Sequence, residues 1–386
     1  MTIAIEEHPN LSILSGKPTN VNPVDFHIVG DAFVDLFCFL GGKWPEQGGD
    51  AQLSHPIDLF AGGSGVNTTT HFNSLMKYFQ TQGATLSLHT ALNPGDPHGQ
   101  TLLAHAKKHG FLLLNCKPDD DMAATGHCVA IVSGQDRSFM TYRGCVDTFR
   151  ADHINTELML RSESHVHMHI AGFYNLSGFQ HGQIKKQIEY IRAYRQENSK
   201  TTTVSLVPQH DASKEWDSGI DELLPCLDFL IMNDMEAMYI VTKSRLRRGI
   251  RTANEGIPSS CTDEHIQDFA SFFGIVSPRT CVVITRGASG AVVLRDGTIV
   301  ANQSAFKVKP LDPTGAGDSF AAGFMYGLGL SGCWGHDKLP SECLEKALMW
   351  GCALGTASVR MRGASLPSTK ANIEHYYTET AKLNAN

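Results

Sequence analysis

The sequence has no long apolar run, no closely paired cysteines and no excess of positive charge. None of its uninterrupted apolar stretches reaches the ~18 residues of a membrane-spanning helix, so no bilayer span is predicted. Its 10 cysteines include no Cys-x-x-Cys pair, which argues against a zinc ribbon and a thioredoxin-type site. With 32 basic and 39 acidic residues, the net charge of -7 argues against a general nucleic-acid-binding protein, since such binding depends on neutralising phosphates.

Two common nucleotide-binding motifs are also missing. No Gly-x-x-x-x-Gly-Lys-Ser/Thr loop is present, which excludes a Walker-type NTPase. No Gly-x-Gly-x-x-Gly follows the first predicted strand, which removes the simplest dinucleotide-dependent dehydrogenase. Residues 1–23 contain neither a continuous apolar block nor a cleavage-like pattern, so we interpret them as a flexible arm of a cytoplasmic protein.

The sequence does contain a repeated alternation of strand-like and helix-like segments. Short apolar runs such as 26–29, 166–170 and 281–285 predict buried strands, and 182–196 has helical periodicity. Such alternation predicts an α/β fold in which helices flank a mostly parallel sheet, and we assign it to one domain at residues 24–386.

Two further features have ordinary structural interpretations. Residues 242–260 hold four arginines and then Gly, Pro and Ser, which is typical of a surface insertion. His165, His167 and His169 alternate along a predicted strand, so all three project from one face. Their position in a core strand favours a structural role over a metal site.

The most informative segment is 311–320, Leu-Asp-Pro-Thr-Gly-Ala-Gly-Asp-Ser-Phe, with an apolar helical run after it. Gly315 and Gly317 allow a bend in which main-chain NH groups converge at the start of a helix, and such a bend binds anions. Asp318 lies where the positive helix end stabilises a carboxylate. In phosphoryl transfer, a carboxylate in this position can take the proton of an attacking hydroxyl.

This segment resembles the carboxy-terminal signature of the ribokinase-like (PfkB) family of carbohydrate kinases. The family string commonly has Asp-Thr-Thr-Gly-Ala-Gly-Asp, so Pro313 is a mild variation. The resemblance implies a three-layer ribokinase-like fold with a small β lid. It also implies that Asp318 is the catalytic base and that Gly315, Ala316 and Gly317 form the anion hole.

A second match lies near the amino terminus. The string Gly62-Gly-Ser-Gly-Val-Asn67 precedes a predicted helix and is similar to the amino-terminal family signature, while residues 30–35 resemble its opening strand, which ends in an aspartate. The resemblance implies that Gly62 and Gly63 approach the substrate and that Asp35 and Asn67 bind its hydroxyls. Each of these two side chains can hold two hydroxyls in a fixed geometry.

Two shorter elements match in the expected order. Asn233-Asp-Met-Glu236 resembles the Asn-x-x-Glu element, and Thr285-Arg-Gly-Ala-Ser-Gly290 resembles the Thr-x-Gly-x-x-Gly element. The resemblance implies ATP as the donor, with Asn233, Thr285, Gly287 and Gly290 at its phosphates and Glu236 placing Mg²⁺. One glutamate is chemically sufficient, because Mg²⁺ keeps most of its waters.

Residues 41–60 and 125–144 fall where the family builds its β lid over the sugar. In relatives the lid closes over the substrate, excludes water and often supplies a homodimer contact. Arg143, at the end of the second segment, is a candidate contact for an anionic substrate. The resemblance leaves open whether a monovalent cation such as K⁺ binds near Asp312.

The leading hypothesis is therefore ATP-dependent, Mg²⁺-assisted phosphoryl transfer to a primary hydroxyl of a sugar. The alternative within the family is the same chemistry on a nucleoside, as in adenosine and inosine-guanosine kinases. A third hypothesis is a catalytically silent regulatory module, against which Asp318 argues because a silent protein has no chemical need for the base. The expected partner is a small sugar or nucleoside, with no nucleic acid and no membrane.

Overall fold

A nine-stranded sheet forms the centre of the molecule, in the order β13-β12-β11-β10-β9-β8-β1-β4-β5. The structure is a computed structural model that describes residues 20–42, 44–133, 136–250, 257–332, 334 and 339–383. The strands are β1 Asn20–Gly30, β2 Phe33–Phe39, β3 Asp58–Gly62, β4 Gln82–Thr90, β5 Leu112–Asn115, β6 His127–Ser133, β7 Asp136–Tyr142, β8 His165–Ala171, β9 Thr202–Val207, β10 Phe229–Asn233, β11 Cys281–Thr285, β12 Ala291–Arg295 and β13 Thr298–Gln303.

The strands from β11 to β5 pair in parallel, and β12 runs antiparallel to both of its neighbours. Continuous apolar runs suit this arrangement, because both faces of a parallel sheet are covered by helices. The helices are α1 Ser64–Tyr78, α2 Pro97–His109, α3 Cys145–Thr148, α4 Thr156–Arg161, α5 Gln183–Glu197, α6 Ile220–Leu223, α7 Asp234–Arg247, α8 Asp263–Val276, α9 Ala316–Leu330, α10 Ser341–Ser358 and α11 Lys370–Lys382.

Three apolar clusters pack the helix layers on the sheet, and one of them joins α9 and α10 to β9 to β12 through side chains such as Phe324. On one face, α5, α7 and α8 pack on β8 to β11 through side chains such as Ile188 and Phe269. On the other face, α1, α9, α10 and α11 pack on β1 and β4 through side chains such as Phe72 and Trp350. The predicted α/β fold with a mostly parallel sheet is confirmed.

A second sheet, in the order β3-β2-β6-β7, stands beside the first and corresponds to the predicted lid. Strands β6 and β7 fall within residues 125–144, as expected. The first predicted lid segment, residues 41–60, has a different boundary in the structure. Asp35 lies on β2, which pairs with β3 and β6 instead of continuing β1. Both Asp35 and the Gly62 end of β3 therefore belong to the lid sheet where it meets the central sheet.

Two predicted boundaries also shift. Strand β1 begins at Asn20, so the last residues of the predicted arm belong to the central sheet, while 1–19 lie outside the described residues. Helix α7 continues to Arg247, so the first part of the predicted insertion is helical, with Arg245 paired to Asp268 at 2.7 Å. In the described part of the chain, no helix is both long and apolar enough to cross a bilayer.

Candidate active site

The polar residues of the predicted site follow the carboxyl ends of several parallel strands. Asp31 follows β1, Gln209 follows β9, Glu236 follows β10 and Gly287 follows β11. These ends meet at one edge of the sheet, which is the usual position of a ligand site in an open α/β sheet. The start of α9, with Asp318 in its first turn, lies at the same edge.

Asp318 is buried, with 3% of its surface exposed, and its two carboxylate oxygens accept three side-chain hydrogen bonds. Oδ1 accepts from the Ser64 hydroxyl at 2.6 Å and from Gln209 Nε2 at 3.2 Å, and Oδ2 accepts from Asn67 Nδ2 at 2.8 Å. Burial raises the pKa of Asp318, and the three hydrogen bonds oppose that rise. The carboxylate is thus held in one orientation and is more basic than an exposed aspartate.

The turn before Asp318 depends on Gly315, which has a left-handed φ of 74° and caps α9. A Cβ there would lie 2.6 Å from the Cβ of Ala364, so both the backbone conformation and the packing require glycine. In this structure the NH of Ala316 donates to the carbonyl of Pro313 at 3.2 Å. The predicted cradle residues Gly315, Ala316 and Gly317 line one cavity together with Asp318.

The start of α1 faces Asp318 across the cleft. A Cβ at Gly62 would lie 2.2 Å from Oδ2 of Asp35, so the glycine leaves room for that carboxylate, and Gly63 follows as the residue that caps α1. Asn67 donates to Asp318 through Nδ2, while its Oδ1 is buried and has no hydrogen-bond partner among the residues that the structure describes. That oxygen is available to accept a hydrogen bond from a hydroxyl in the cleft.

Carboxylates are concentrated at this edge. Burial, together with the charges of Asp312 and Asp318, raises the pKa of Asp35 to about 6. Burial raises the pKa of Asp31 to about 7, although Asp31 accepts a hydrogen bond from Asn175 Nδ2 at 2.7 Å. Such raised values are typical of a site whose charges are balanced only when a ligand is bound.

A cavity of about 250 Å³ lies between the start of α9 and the start of α7. Asn233 and Glu236 line it and form a capping box, in which Asn233 Oδ1 accepts from the NH of Glu236 at 2.8 Å and Glu236 Oε2 accepts from the NH of Asn233 at 2.9 Å. Burial, and then the charge of Asp318, raises the pKa of Glu236 to about 7. A bound cation would lower it again.

The family resemblance implies Mg²⁺, and the donors of this cavity fit that ion. Glu236 and Asp318 supply hard carboxylate oxygens, and a hydrated Mg²⁺ needs only one or two of these besides nucleotide phosphates. Among the described residues no group of three or more His, Cys, Asp or Glu side chains could hold a metal by itself. The cavity therefore suits a metal that arrives with its nucleotide.

A second cavity, of about 280 Å³, adjoins the first, and Thr285, Pro313, Ala316 and Gly317 line both. Its remaining walls are mostly apolar, which suits a flat nucleobase. The predicted phosphate residues Gly287 and Gly290 lie on it. Two stretches that the sequence left unassigned also line this cavity, Ala305–Val308 and the α10 residues Cys352, Gly355 and Thr356.

Arg143, at the end of the second predicted lid segment, makes an ion pair and a hydrogen bond within the protein. Its Nε lies 2.7 Å from Asp147, and its guanidinium donates to the carbonyl of Asn175. These contacts tie the end of the lid to the segment that orients Asp31. The predicted contact of Arg143 with an anionic substrate stays a prediction.

Sequence patterns missed three residues that complete the site: Ser64, Gln209 and Asp31. Ser64 lies within the recognised glycine string, so its proximity to a helix start could have singled it out. Gln209 and Asp31 follow strands β9 and β1, and the rule that strand carboxyl ends share one edge could have indicated both.

Comparisons with known proteins place the chain in a family. The sequence profile of the pfkB family carbohydrate kinases matches residues 28–371. The chain is 26% identical to the adenosine kinase of Saccharomyces cerevisiae over 283 residues, which cover 71% of this chain and 72% of the yeast protein. It is 26% identical to adenosine kinase 2 of Arabidopsis thaliana over 256 residues, which cover 64% of this chain and 65% of that protein.

The structure superimposes on Arabidopsis thaliana ribokinase complexed with ribose and ATP, with a TM-score of 0.63 at 19% identity, covering 94% of this chain and 99% of that chain. At this identity the likeness shows the fold alone. The profile match, which spans nearly the whole chain, identifies the protein as a member of the pfkB family of carbohydrate kinases.

Proposed function

We propose that the protein transfers the terminal phosphoryl group of ATP to a primary hydroxyl of a ribose-like acceptor, with Asp318 as the general base. The observation that carries this proposal is the Ser64 hydroxyl, which donates to Asp318 at 2.6 Å. This bond supports the proposal, because it sets a hydroxyl donor against an oxygen of a buried, oriented carboxylate. An acceptor hydroxyl at this oxygen would lose its proton as its oxygen attacks phosphorus.

The charge of the transferred group is met by the surroundings of the same cavity. The start of α9 presents the positive end of a helix dipole and the main-chain NH groups of Gly315 and Gly317. When bound, Mg²⁺ would neutralise phosphate oxygens, with Glu236 holding its hydration shell. Preorganised dipoles and charges of this kind supply most of the catalysis in phosphoryl transfer.

The acceptor is best sought among nucleosides as well as free sugars. Curated adenosine kinases match this chain over about two thirds of their length, which supports a nucleoside. A ribokinase bound to ribose shares its fold, which is consistent with a free pentose. Both acceptors carry ribose hydroxyls that Asp35 and the free Oδ1 of Asn67 can bind.

The test is an ATP-consumption assay with adenosine, inosine, guanosine, ribose and fructose, in which phosphorus NMR identifies the product. We expect Mg²⁺-dependent formation of one 5′- or primary phosphate ester and loss of activity when EDTA removes the metal. Binding of ATP without turnover of any acceptor would favour a silent module instead. Salt replacement and sedimentation check the two points that the sequence leaves open, binding of a monovalent cation such as K⁺ near Asp312 and formation of a homodimer through the lid.

A further inference from the structure

The carboxylate of Asp318 has most of its acceptor positions filled. Its Oδ1 accepts from the Ser64 hydroxyl at 2.6 Å and from Gln209 Nε2 at 3.2 Å, while its Oδ2 accepts from Asn67 at 2.8 Å. A carboxylate has about four lone-pair sites, two on each oxygen. Both sites on Oδ1 are therefore occupied, and an acceptor hydroxyl that donates to Oδ1 has to replace one of the two donors.

The two donors on Oδ1 differ in how easily an acceptor hydroxyl can replace them. Ser64 presents a hydroxyl, the same group that the acceptor brings, through one rotatable side-chain bond at the start of α1. An incoming hydroxyl can thus take its place without a net loss of hydrogen bonds at Oδ1. Gln209 approaches from a different element, the loop after β9, so its amide can stay on Oδ1 during this exchange.

The loop after β9 is held by contacts that do not involve the Gln209 side chain. Before it, the carbonyls of Val207 and Pro208 each accept a main-chain NH group at 3.0 Å. After it, the buried Asp211 accepts from the NH of Trp216 at 2.6 Å. The backbone of Gln209 is therefore fixed on both sides, and its amide reaches the site from a rigid support.

The conformation of Gln209 is one in which glycine would be the least costly residue. Its φ of 62° is left-handed, a region that side chains other than glycine rarely adopt. Among the described residues its side chain has one hydrogen-bond partner, Asp318, and it lies half-buried on the wall of the 250 Å³ cavity. The contacts of this side chain thus belong to the site and not to the packing of the loop.

We propose that Gln209 is a positioning residue, which keeps the Asp318 carboxylate aligned while the acceptor hydroxyl replaces Ser64 on Oδ1. The proposal rests on the proposed function, because it takes Asp318 as the base. The last torsion of an aspartate is broad and roughly two-fold, so contacts on both oxygens are needed to fix the carboxylate plane. After the exchange, Gln209 on Oδ1 and Asn67 on Oδ2 are those contacts. Without Gln209, Oδ1 would have only the reacting hydroxyl, and the carboxylate would turn about its Cβ–Cγ bond.

The experiment measures single-turnover rates, kcat and KM of the full chain with MgATP and whichever of the five acceptors above is phosphorylated fastest. Gln209→Gly removes the amide and suits the left-handed backbone, so we expect the variant to fold normally. Its kcat and single-turnover rate should fall roughly ten- to a hundredfold, the scale of one hydrogen bond to a charged group, with both KM values unchanged. Gln209→Glu keeps the shape but replaces the donor with a carboxylate, so its rate should fall at least as far.

The matched control is Gln80→Gly. Gln80 is also a glutamine with a left-handed φ, of 48°, but it lies in the turn between α1 and β4, at the opposite edge of the sheet. Its replacement should leave both the rate and the KM values unchanged. The control thus separates the loss of the Gln209 amide from the effect of introducing glycine at a left-handed position.

A double-mutant cycle tests whether Gln209 acts through Asp318. In the Asp318→Asn background, Gln209→Gly should cause no further fall in the single-turnover rate, because the carboxylate that it positions is already gone. A second full loss would mean that the amide of Gln209 contacts the substrates directly, which would overturn the positioning role.

The possible results separate the two proposals. If the wild type turns over, Asp318→Asn does not and Gln209→Gly matches the wild type, the role of Gln209 is overturned and the proposed function stands. A higher KM at unchanged kcat would also overturn that role, because it would assign Gln209 to substrate binding. A wild-type chain that phosphorylates none of the five acceptors would overturn both proposals, and melting curves of the variants confirm that each is folded.

Discussion

Two buried polar regions in the same central sheet behave in opposite ways. Between β8 and β9, three histidines and three hydroxyls form a ladder in which His167 lies 2.8 Å from both Thr203 and Ser205. At the carboxyl end of these strands lie the buried carboxylates of the site, such as Asp31 and Asp318. Both regions are largely buried, but only the second gathers groups of like charge.

The hydrogen bonds of the ladder need only neutral side chains, although Nε2 of His169, at its end, is buried without a partner among the described residues. Its five contacts run from Thr201 through the three rings to His169 Nδ1, all between 2.7 and 2.8 Å. A neutral imidazole has one donor and one acceptor nitrogen, and a hydroxyl can serve as both, so all five hydrogen bonds form without charge. Such a network stabilises the strand pair and needs no ligand.

The edge cluster cannot be satisfied in this way. The pKa of Asp35 is raised to about 6, and those of Asp31 and Glu236 to about 7, mainly by burial. Bringing several carboxylates together costs stability that a cation and hydroxyl donors would recover on binding. The comparison teaches that burial alone does not mark a functional site; the gathering of several carboxylates of like charge does.

Asp318→Asn tests the edge region and should have the largest effect. Asparagine has nearly the same shape but cannot take a proton, so we expect turnover to fall by about 10²–10⁴-fold. Removing a buried charge should leave the free energy of unfolding unchanged or slightly higher. Single-turnover rates and urea denaturation measure the two effects.

The control for this variant is Asp120→Asn, an exposed aspartate in the connection after β5, which should alter neither quantity. Near-normal turnover in Asp318→Asn would mean that a residue other than Asp318 is the general base. A large loss of stability would instead mean that the carboxylate is chiefly structural, as in the ladder.

The sequence predicted the parts of both regions that depend on local pattern. Alternation along β8 placed His165, His167 and His169 on one face, which the structure confirms. The glycine string before Asp318 predicted a helix start, and α9 does begin at Ala316. Strand and helix periods explain these successes, because they act over a few residues.

What the sequence could not predict depends on contacts between distant segments. Ser64 and Asn67 hold Asp318 across 254 and 251 residues of chain, so no local pattern connects them. The sequence also did not predict that β1 and β2 belong to different sheets, for a related reason. Both segments are apolar, and only the partners β3 and β6 show that Asp35 belongs to the second sheet.

His167→Leu tests the ladder and should have an intermediate effect. Leucine fills most of the volume but leaves the hydroxyls of Thr203 and Ser205 without their imidazole partners, so we expect unfolding to cost about 2–4 kcal/mol less. Turnover per folded molecule should not change, since the ladder contains no ligand-facing group. Urea denaturation and active-site-normalised rates check both statements.

The matched control is His165→Leu, at the partly exposed end of the same ladder. Water can replace its hydrogen bonds, so its cost should be about 1 kcal/mol or less. If the two variants lost equal stability, or if His167→Leu lost turnover without unfolding, the distinction between a structural and a functional region would fail.

The pH dependence of stability should give the smallest effects and sharpen the comparison. Titration in the two regions should change the free energy of unfolding in opposite directions as the pH rises. Burial lowers the pKa of His165 to about 4 and of His169 to about 3, so below pH ~6.5 the unfolded chain binds more protons and stability falls with falling pH. The pKa of Asp31 is raised to about 7, so the folded chain holds more protons than the unfolded chain between pH ~4 and 7. The stability that Asp31 contributes at low pH is lost as pH rises through 7.

Asp31→Asn should therefore flatten the decline in stability from pH 5 to pH 8 in the nucleotide-free protein, by at most ~1.4 kcal/mol per pH unit for one proton. His169→Leu should flatten only the acid side, below pH ~6.5, because its imidazole is neutral above that range in both states. Urea denaturation at pH 4.5, 5.5, 6.5 and 8 separates the two slopes. If both variants changed the same side of the profile, the two regions would not differ in their charge, and the contrast between a neutral ladder and a carboxylate cluster would have to be abandoned.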